Sequence, residues 1–240
     1  MAREASSAAG RERPPRAVLL DALGTLVDLD APVPNLVDAL ARRGIDVGPG
    51  AVGAALGEEI AYYRAHHDEA FDEPALDDLR DRCAEVFRRA LPTPAAGGDP
   101  ALVREALLDG LRFRAFEEVP AVLAALRAAG SRIVIVSNWD VSLHGVLRTT
   151  GLERLVDAVL TSAQERVAKP DPEIFRRALQ RAGGVEPARA LHVGDDLDAD
   201  IAGARAAGIP AVLVDRAGTS AAPGGVRVVR TLAELFPPAR

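Results

Sequence analysis

Four short stretches place reactive side chains at the ends of apolar runs or at the mouth of a helical stretch. In Val18-Leu19-Leu20-Asp21-Ala22-Leu23-Gly24-Thr25-Leu26, apolar residues lead into a carboxylate and then a Gly-Thr pair. Ser137-Asn138 follows the β-branched run 133–136, and Gly194-Asp195-Asp196 follows 190–193, with Asp200 one turn on. Lys169 stands in Ala168-Lys169-Pro170-Asp171-Pro172, and it is the only lysine among 29 basic residues. Taken singly, each stretch also reads as punctuation: a turn, a solvated helix start, a loop. Together they supply carboxylates, neutral hydrogen-bonding groups and one compact ammonium. An ammonium kept where every other cation is Arg points to a place that a guanidinium fills poorly.

These groups meet only if the chain folds so that their strand ends share a rim. Apolar runs at Ala17–Leu20, 133–136, 158–160, 190–193 and Ala211–Val214 alternate with helical stretches, and 226–229 adds an edge strand. That alternation implies a parallel sheet covered on both faces, with ligands bound outside the carboxyl ends of its strands. Between residues 32 and 114 the pattern is purely helical, with apolar positions such as Leu36, Leu40, Val52, Leu56, Ile60 and Tyr63. Further helices are expected at 76–91 and 101–113, with no strand among them. The reading is therefore a disordered leader (1–16), an α/β core (17–30 and 115–240) and a helical insertion (31–114). Trp139-Asp140 is expected to start the helix after the second strand, and 201–207 to form another.

Composition narrows the function. A net charge of −6 argues against nucleic-acid and anionic membrane surfaces, so neither is expected as a partner. One cysteine, Cys83, rules out an internal disulfide and a cysteine-rich metal cluster. No apolar run is long enough to span a bilayer and no secretory signal precedes the first strand, so a cytoplasmic location is expected.

The set Asp21-Ala22-Leu23-Gly24-Thr25, Ser137, Lys169 and Gly194-Asp195-Asp196…Asp200 resembles the motifs of the haloacid dehalogenase (HAD) superfamily of hydrolases. The helical stretch after the first motif is similar to the branch carrying an all-helical cap there. The resemblance covers nearly the whole chain and implies a Rossmann-like core. It also implies a carboxylate nucleophile, Asp21, that splits phosphoryl transfer into forming and hydrolysing an acyl phosphate. Mg²⁺ is the implied cofactor, held by Asp21, the Leu23 carbonyl and Asp195, with Asp196 a further candidate and Asp200 an orienter. Ser137, Asn138 and Lys169 would grip the phosphoryl oxygens, Gly24 would permit close backbone approach, and Arg64 in the cap could meet a substrate anion. The implied partner is a small phosphorylated metabolite, the protein being a monomer or homodimer.

One position departs from the pattern. Phosphatases of this superfamily carry a second Asp two residues after the nucleophile, and here Leu23 stands there. Three readings follow: a phosphatase lacking that acid, a phosphate-binding regulatory protein, or a relative of the 2-haloacid dehalogenases. The dehalogenases dispense with the acid and with metal, but Asp195 stands where they carry Ser, and an uncompensated carboxylate repels an anionic substrate. A Schiff-base mechanism is excluded, because residues 31–114 hold no lysine. His192 reads as a satisfied core residue and Cys83 as a packing residue.

Overall fold

The computed structural model describes residues 14–93, 95–219 and 224–237. Its centre is a parallel sheet of six strands in the order β5-β4-β1-β6-β7-β8. These are β1 (Ala17–Leu20), β4 (Arg132–Ser137), β5 (Ala158–Thr161), β6 (Ala190–Gly194), β7 (Ala211–Val214) and β8 (Arg227–Val229). Strand β1 is fully buried, and its period of two divides it between two cores. Val18 and Leu20 pack with Val122, Leu123 and Leu126 of α5 (Val119–Ala128) and Leu143 of α6 (Leu143–Thr149). Ala17 and Leu19 pack with Ile174, Phe175 and Ala178 of α8 (Pro172–Arg181) on the other face. The chain is thus an α/β fold whose motif-bearing strand is the most enclosed element.

Four helices, α1 (Pro32–Ala41), α2 (Pro49–His66), α3 (Glu73–Ala90) and α4 (Pro100–Gly110), form a separate core from Leu36, Val52, Leu79, Phe87 and Val103. They meet the sheet rim along a seam. The Tyr63 hydroxyl donates to Asp140 Oδ2 (2.9 Å), Val141 N donates to the Ala70 carbonyl (3.0 Å), and the Ser162 hydroxyl donates to Asp68.

Four expectations need correction. The helix expected at 101–113 ends at Gly110, because Phe113–Ala115 (β3) pairs antiparallel with β2 (Val27–Leu29). This two-stranded ribbon joins the helical unit to the sheet, and its long-range pairing overrides a local apolar pattern that suits a helix equally. Trp139 and Asp140 lie in the loop before α6 rather than starting it. The expected helix at 201–207 begins earlier, as a π-helical turn over Leu197–Ala202 that runs into α9 (Gly203–Ala206). Of the expected leader, residues 1–13 lie outside the described residues, but Pro15 and Arg16 are pinned. The Pro15 carbonyl accepts from Ser131 Oγ (2.7 Å), and Arg16 N donates to the Arg189 carbonyl (2.8 Å).

Candidate active site

Parallel alignment brings the ends of β1, β4 and β6 together, and with them Asp21, Ser137 and the loop from Gly194. Asp21 is buried, and its Oδ1 accepts from Ser137 Oγ (2.9 Å) and from Lys169 Nζ (2.6 Å). The same ammonium donates to Asp200 Oδ1 at 2.6 Å, so one cation bridges two buried carboxylates. Lys169 is itself positioned by Asn138. The Asn138 amide donates to the Lys169 carbonyl (2.9 Å) and accepts from its N–H (2.8 Å). Asn138, expected to touch substrate, thus has both functional groups engaged in clamping the lysine's main chain.

The first and last motifs interlock through glycine. Gly24 has φ of 76°, and a Cβ there would collide with the Asp195 carboxylate. A Cβ on Gly194 would likewise strike Asp200. The π-helical turn explains how Asp200 reaches the lysine. Asp200 N and Ile201 N both donate to the Asp196 carbonyl (3.1 and 3.2 Å), which widens the turn and swings the Asp200 side chain under the rim. Asp196 caps this turn, its Oδ1 accepting from Asp198 N and Ala199 N at 2.8 Å each.

Oxygen atoms of Asp21, Asp195 and Asp200 lie within 4.8 Å of one another; Asp196 stands outside this group. Burial pushes the Asp195 carboxyl up to about 7, and repulsion from Asp21 and Asp200 adds to the rise. Burial raises Asp21 as well. Burial also opposes the charges of Asp200 and Lys169. The charges of Asp21 and then Asp200 outweigh it for Lys169, and Lys169 with a hydrogen bond from His192 to Asp200 Oδ1 (2.9 Å) outweighs it for Asp200, holding Lys169 high and Asp200 low. Three carboxylates against one ammonium leave the site short of positive charge.

Above these groups a cavity of about 1260 Å³ opens between the sheet rim and the helices. Leu23 is 37% exposed and lines it, as does Arg64, which has no ion-pair partner among the described residues. His192, read as a satisfied core residue, is buried and bonds Asp200 as that reading expects. Sequence reasoning missed one supporting residue. Arg216, after β7, donates to the backbone carbonyls of Gly24 (3.0 Å) and Thr25 (2.6 Å), pairs with Glu118 (2.9 Å) and stacks over Phe116. No local signal separates Arg216 from the other arginines of so Arg-rich a chain.

Known proteins resemble this chain in sequence and in fold. A family model described as haloacid dehalogenase-like hydrolase matches residues 15–208. The chain is 33% identical over 218 residues to a plasmid-borne phosphoglycolate phosphatase of Cupriavidus necator, covering 88% of this chain and 85% of that protein. Animal relatives are more similar locally, but the chain spans only about 40% of their length. Among solved structures, a HAD phosphatase from Thermococcus onnurineus aligns with TM-score 0.58 at 23% identity, over 92% of this chain and 95% of that one. A 2-haloacid dehalogenase from Pseudomonas syringae aligns with TM-score 0.62 at 23% identity, over 92% and 96%. The fold is shared by both activities and does not choose between them. No helix among the described residues is long and apolar enough to cross a membrane.

Proposed function

Because this chain belongs to the haloacid dehalogenase-like hydrolases, we propose that it is a Mg²⁺-dependent phosphatase of small molecules that works through an aspartyl phosphate on Asp21. The observation that carries this reading is the charge balance at the rim: Asp21, Asp195 and Asp200 converge around a single ammonium, Lys169. A dehalogenase working without metal has no use for the added carboxylate of Asp195. Mg²⁺ suits the residues present, since it prefers hard oxygen ligands, and a cation would relieve both the burial and the mutual repulsion that raise the Asp195 carboxyl.

Asp21, Asp195 and the Leu23 carbonyl would hold the ion, with Asp200 kept in place by Lys169, His192 and Asp196 N. When bound, the ion supplies positive charge to the transferring phosphoryl group. The Asp21 carboxylate attacks phosphorus, forming an acyl phosphate as the bond to the leaving oxygen breaks. Lys169 and Ser137, already within hydrogen-bond reach of Asp21, steady the phosphoryl oxygens and lower the repulsion between nucleophile and substrate. Water then hydrolyses the acyl phosphate and restores Asp21. Leu23 offers no proton, so substrates with good leaving groups are favoured.

The test is a panel of acyl, aryl and alkyl phosphates assayed with Mg²⁺ and with chelator. Metal-dependent turnover lost in Asp21→Asn supports the reading; halide release from 2-chloropropionate that persists in chelator overturns it. Leu23 also favours a second reading, a regulatory phosphate-binding protein. That reading requires saturable phosphate binding without turnover.

A further inference from the structure

The proposed phosphoryl chemistry uses the polar floor of the cavity but not its apolar side next to Asp21. Four large apolar side chains are exposed among the described residues, and two of them, Leu23 and Leu108, line this cavity at 37% exposure each. Leu108 stands on α4, which buries Val103, Ala106 and Leu107 in the helical core and leaves Leu108 outside it. A scattered exposed leucine needs no explanation, but apolar residues gathered on a concave wall mark a ligand surface.

Backbone pairing ties this apolar side to the nucleophile. Leu23 lies two residues after Asp21 and bridges Val27, which pairs with Ala115 across the β2–β3 ribbon. Two residues back along β3, Phe113 packs its ring against Trp139, with centroids 5.2 Å apart. Trp139 in turn lies two residues after Ser137, whose hydroxyl donates to Asp21 (2.9 Å). Leu23, Phe113 and Trp139 all line the cavity, so its wall beside the reacting carboxylate is apolar and partly aromatic. The polar atom of the Trp139 ring is already used, Nε1 donating to Ser142 Oγ (3.3 Å). The hydroxyls of a sugar or polyol set against these three side chains would find no partner there, which is costly.

A second observation is independent of shape. No acid stands at position 23, so the leaving oxygen departs without a proton from that position. An alkoxide leaves badly on those terms, whereas a phenoxide, whose charge spreads into its ring, leaves well. An aromatic ring on the ester oxygen meets both conditions at once.

We infer that the phosphate ester this protein takes is an aryl phosphate, its ring received between Leu23 and the Phe113–Trp139 pair. The inference rests on the phosphatase reading for the fate of the phosphate, but the ring site is a binding claim and can be tested without turnover. As the Asp21 carboxylate bonds to phosphorus, the bond from phosphorus to the phenolic oxygen breaks. The electron pair leaves with the phenoxide, which takes its proton from water. Aromatic rings gain most from tilted or offset packing, and Phe113 and Trp139 already meet at 54°.

The probes are benzylphosphonate and ethylphosphonate, the counterparts of phenyl and methyl phosphate in which a methylene replaces the ester oxygen, so that neither is hydrolysed. With Mg²⁺, calorimetry on the wild-type protein is expected to show benzylphosphonate binding at least about tenfold tighter. The preference should fall in Leu23→Asn, where the side chain replaced is exposed and supports no core, and in Phe113→Asn. Phenyl phosphate turnover is measured alongside. Preferential benzylphosphonate binding without turnover sinks the phosphatase reading and supports the ring site. Turnover with equal binding of the two phosphonates overturns the ring site and leaves the phosphatase reading standing. Failure to bind either phosphonate, or a preference undiminished in either variant, also overturns the inference.

Discussion

Arg216 donates from Nε to the carbonyl of Gly24 at 3.0 Å, joining the end of the fifth core strand to the turn that carries the first motif. Its Nη2 reaches the Thr25 carbonyl at 2.6 Å, while Glu118 and the Phe116 ring hold the guanidinium from the other side. The turn thus gained is the one that presents Leu23 and keeps Gly24 against Asp195. A lysine has a single donor centre and cannot reproduce this fork. Arg216→Lys should therefore weaken Mg²⁺ binding and lower kcat/KM by about 10–100-fold, as is usual when a support one step removed from a metal site is lost. A Mg²⁺ titration followed by thermal shift checks the binding arm, and an unchanged midpoint refutes it.

Lys169 carries a different burden. It neutralises Asp21 and Asp200 at once, all three side chains being at most 8% exposed. Lys169→Met removes the cation and leaves two buried carboxylates facing each other. The expected loss is about 3–5 kcal/mol at neutral pH, together with loss of turnover. Urea unfolding at pH 7 measures it. Mg²⁺ should recover part of the stability, since a cation in the site relieves the same repulsion.

Leu23 tests the proposed chemistry from the opposite direction. It is 37% exposed on the cavity wall, so an Asp in its place meets no packing obstacle. If leaving-group protonation limits the enzyme, Leu23→Asp should raise alkyl phosphate hydrolysis by about 10²–10⁴ and affect acyl phosphates much less. Equal changes for both substrate classes would refute the argument.

Glu59 gives a pH dependence of known sign. Its carboxyl is pushed up to about 7 in the fold, against 4.5 for the unperturbed group. Between these values the folded protein holds a proton that the unfolded chain has released. This group's contribution therefore favours the fold below about pH 4.5, declines as pH rises, and is lost above about 7. The span is at most about 3 kcal/mol. Denaturation curves of wild type and Glu59→Gln should diverge from pH 5 to 8, with the variant relatively more stable at the alkaline end. Parallel curves would count against a raised Glu59.

The sequence by itself determined the sheet and which motif side chains would gather at its rim. Asp21, Ser137, Lys169 and Gly194-Asp195 each sit at the end of an apolar run or at a helix mouth, and parallel strands oblige such ends to meet. Period and punctuation are local, so they survive in a one-dimensional reading. Only the tertiary structure decided what long-range pairing controls. The β2–β3 ribbon is a strand because residues 27–29 and 113–115 find each other, although the second segment continues a helical pattern. The π-helical turn arises because Asp200 has to reach Lys169 and His192, a demand that periodicity does not encode. Asn138 became a clamp, Asp196 a cap and Arg216 a brace for the same reason. Residue type states which hydrogen bonds a side chain can make, and the fold decides which of those partners come within 3 Å.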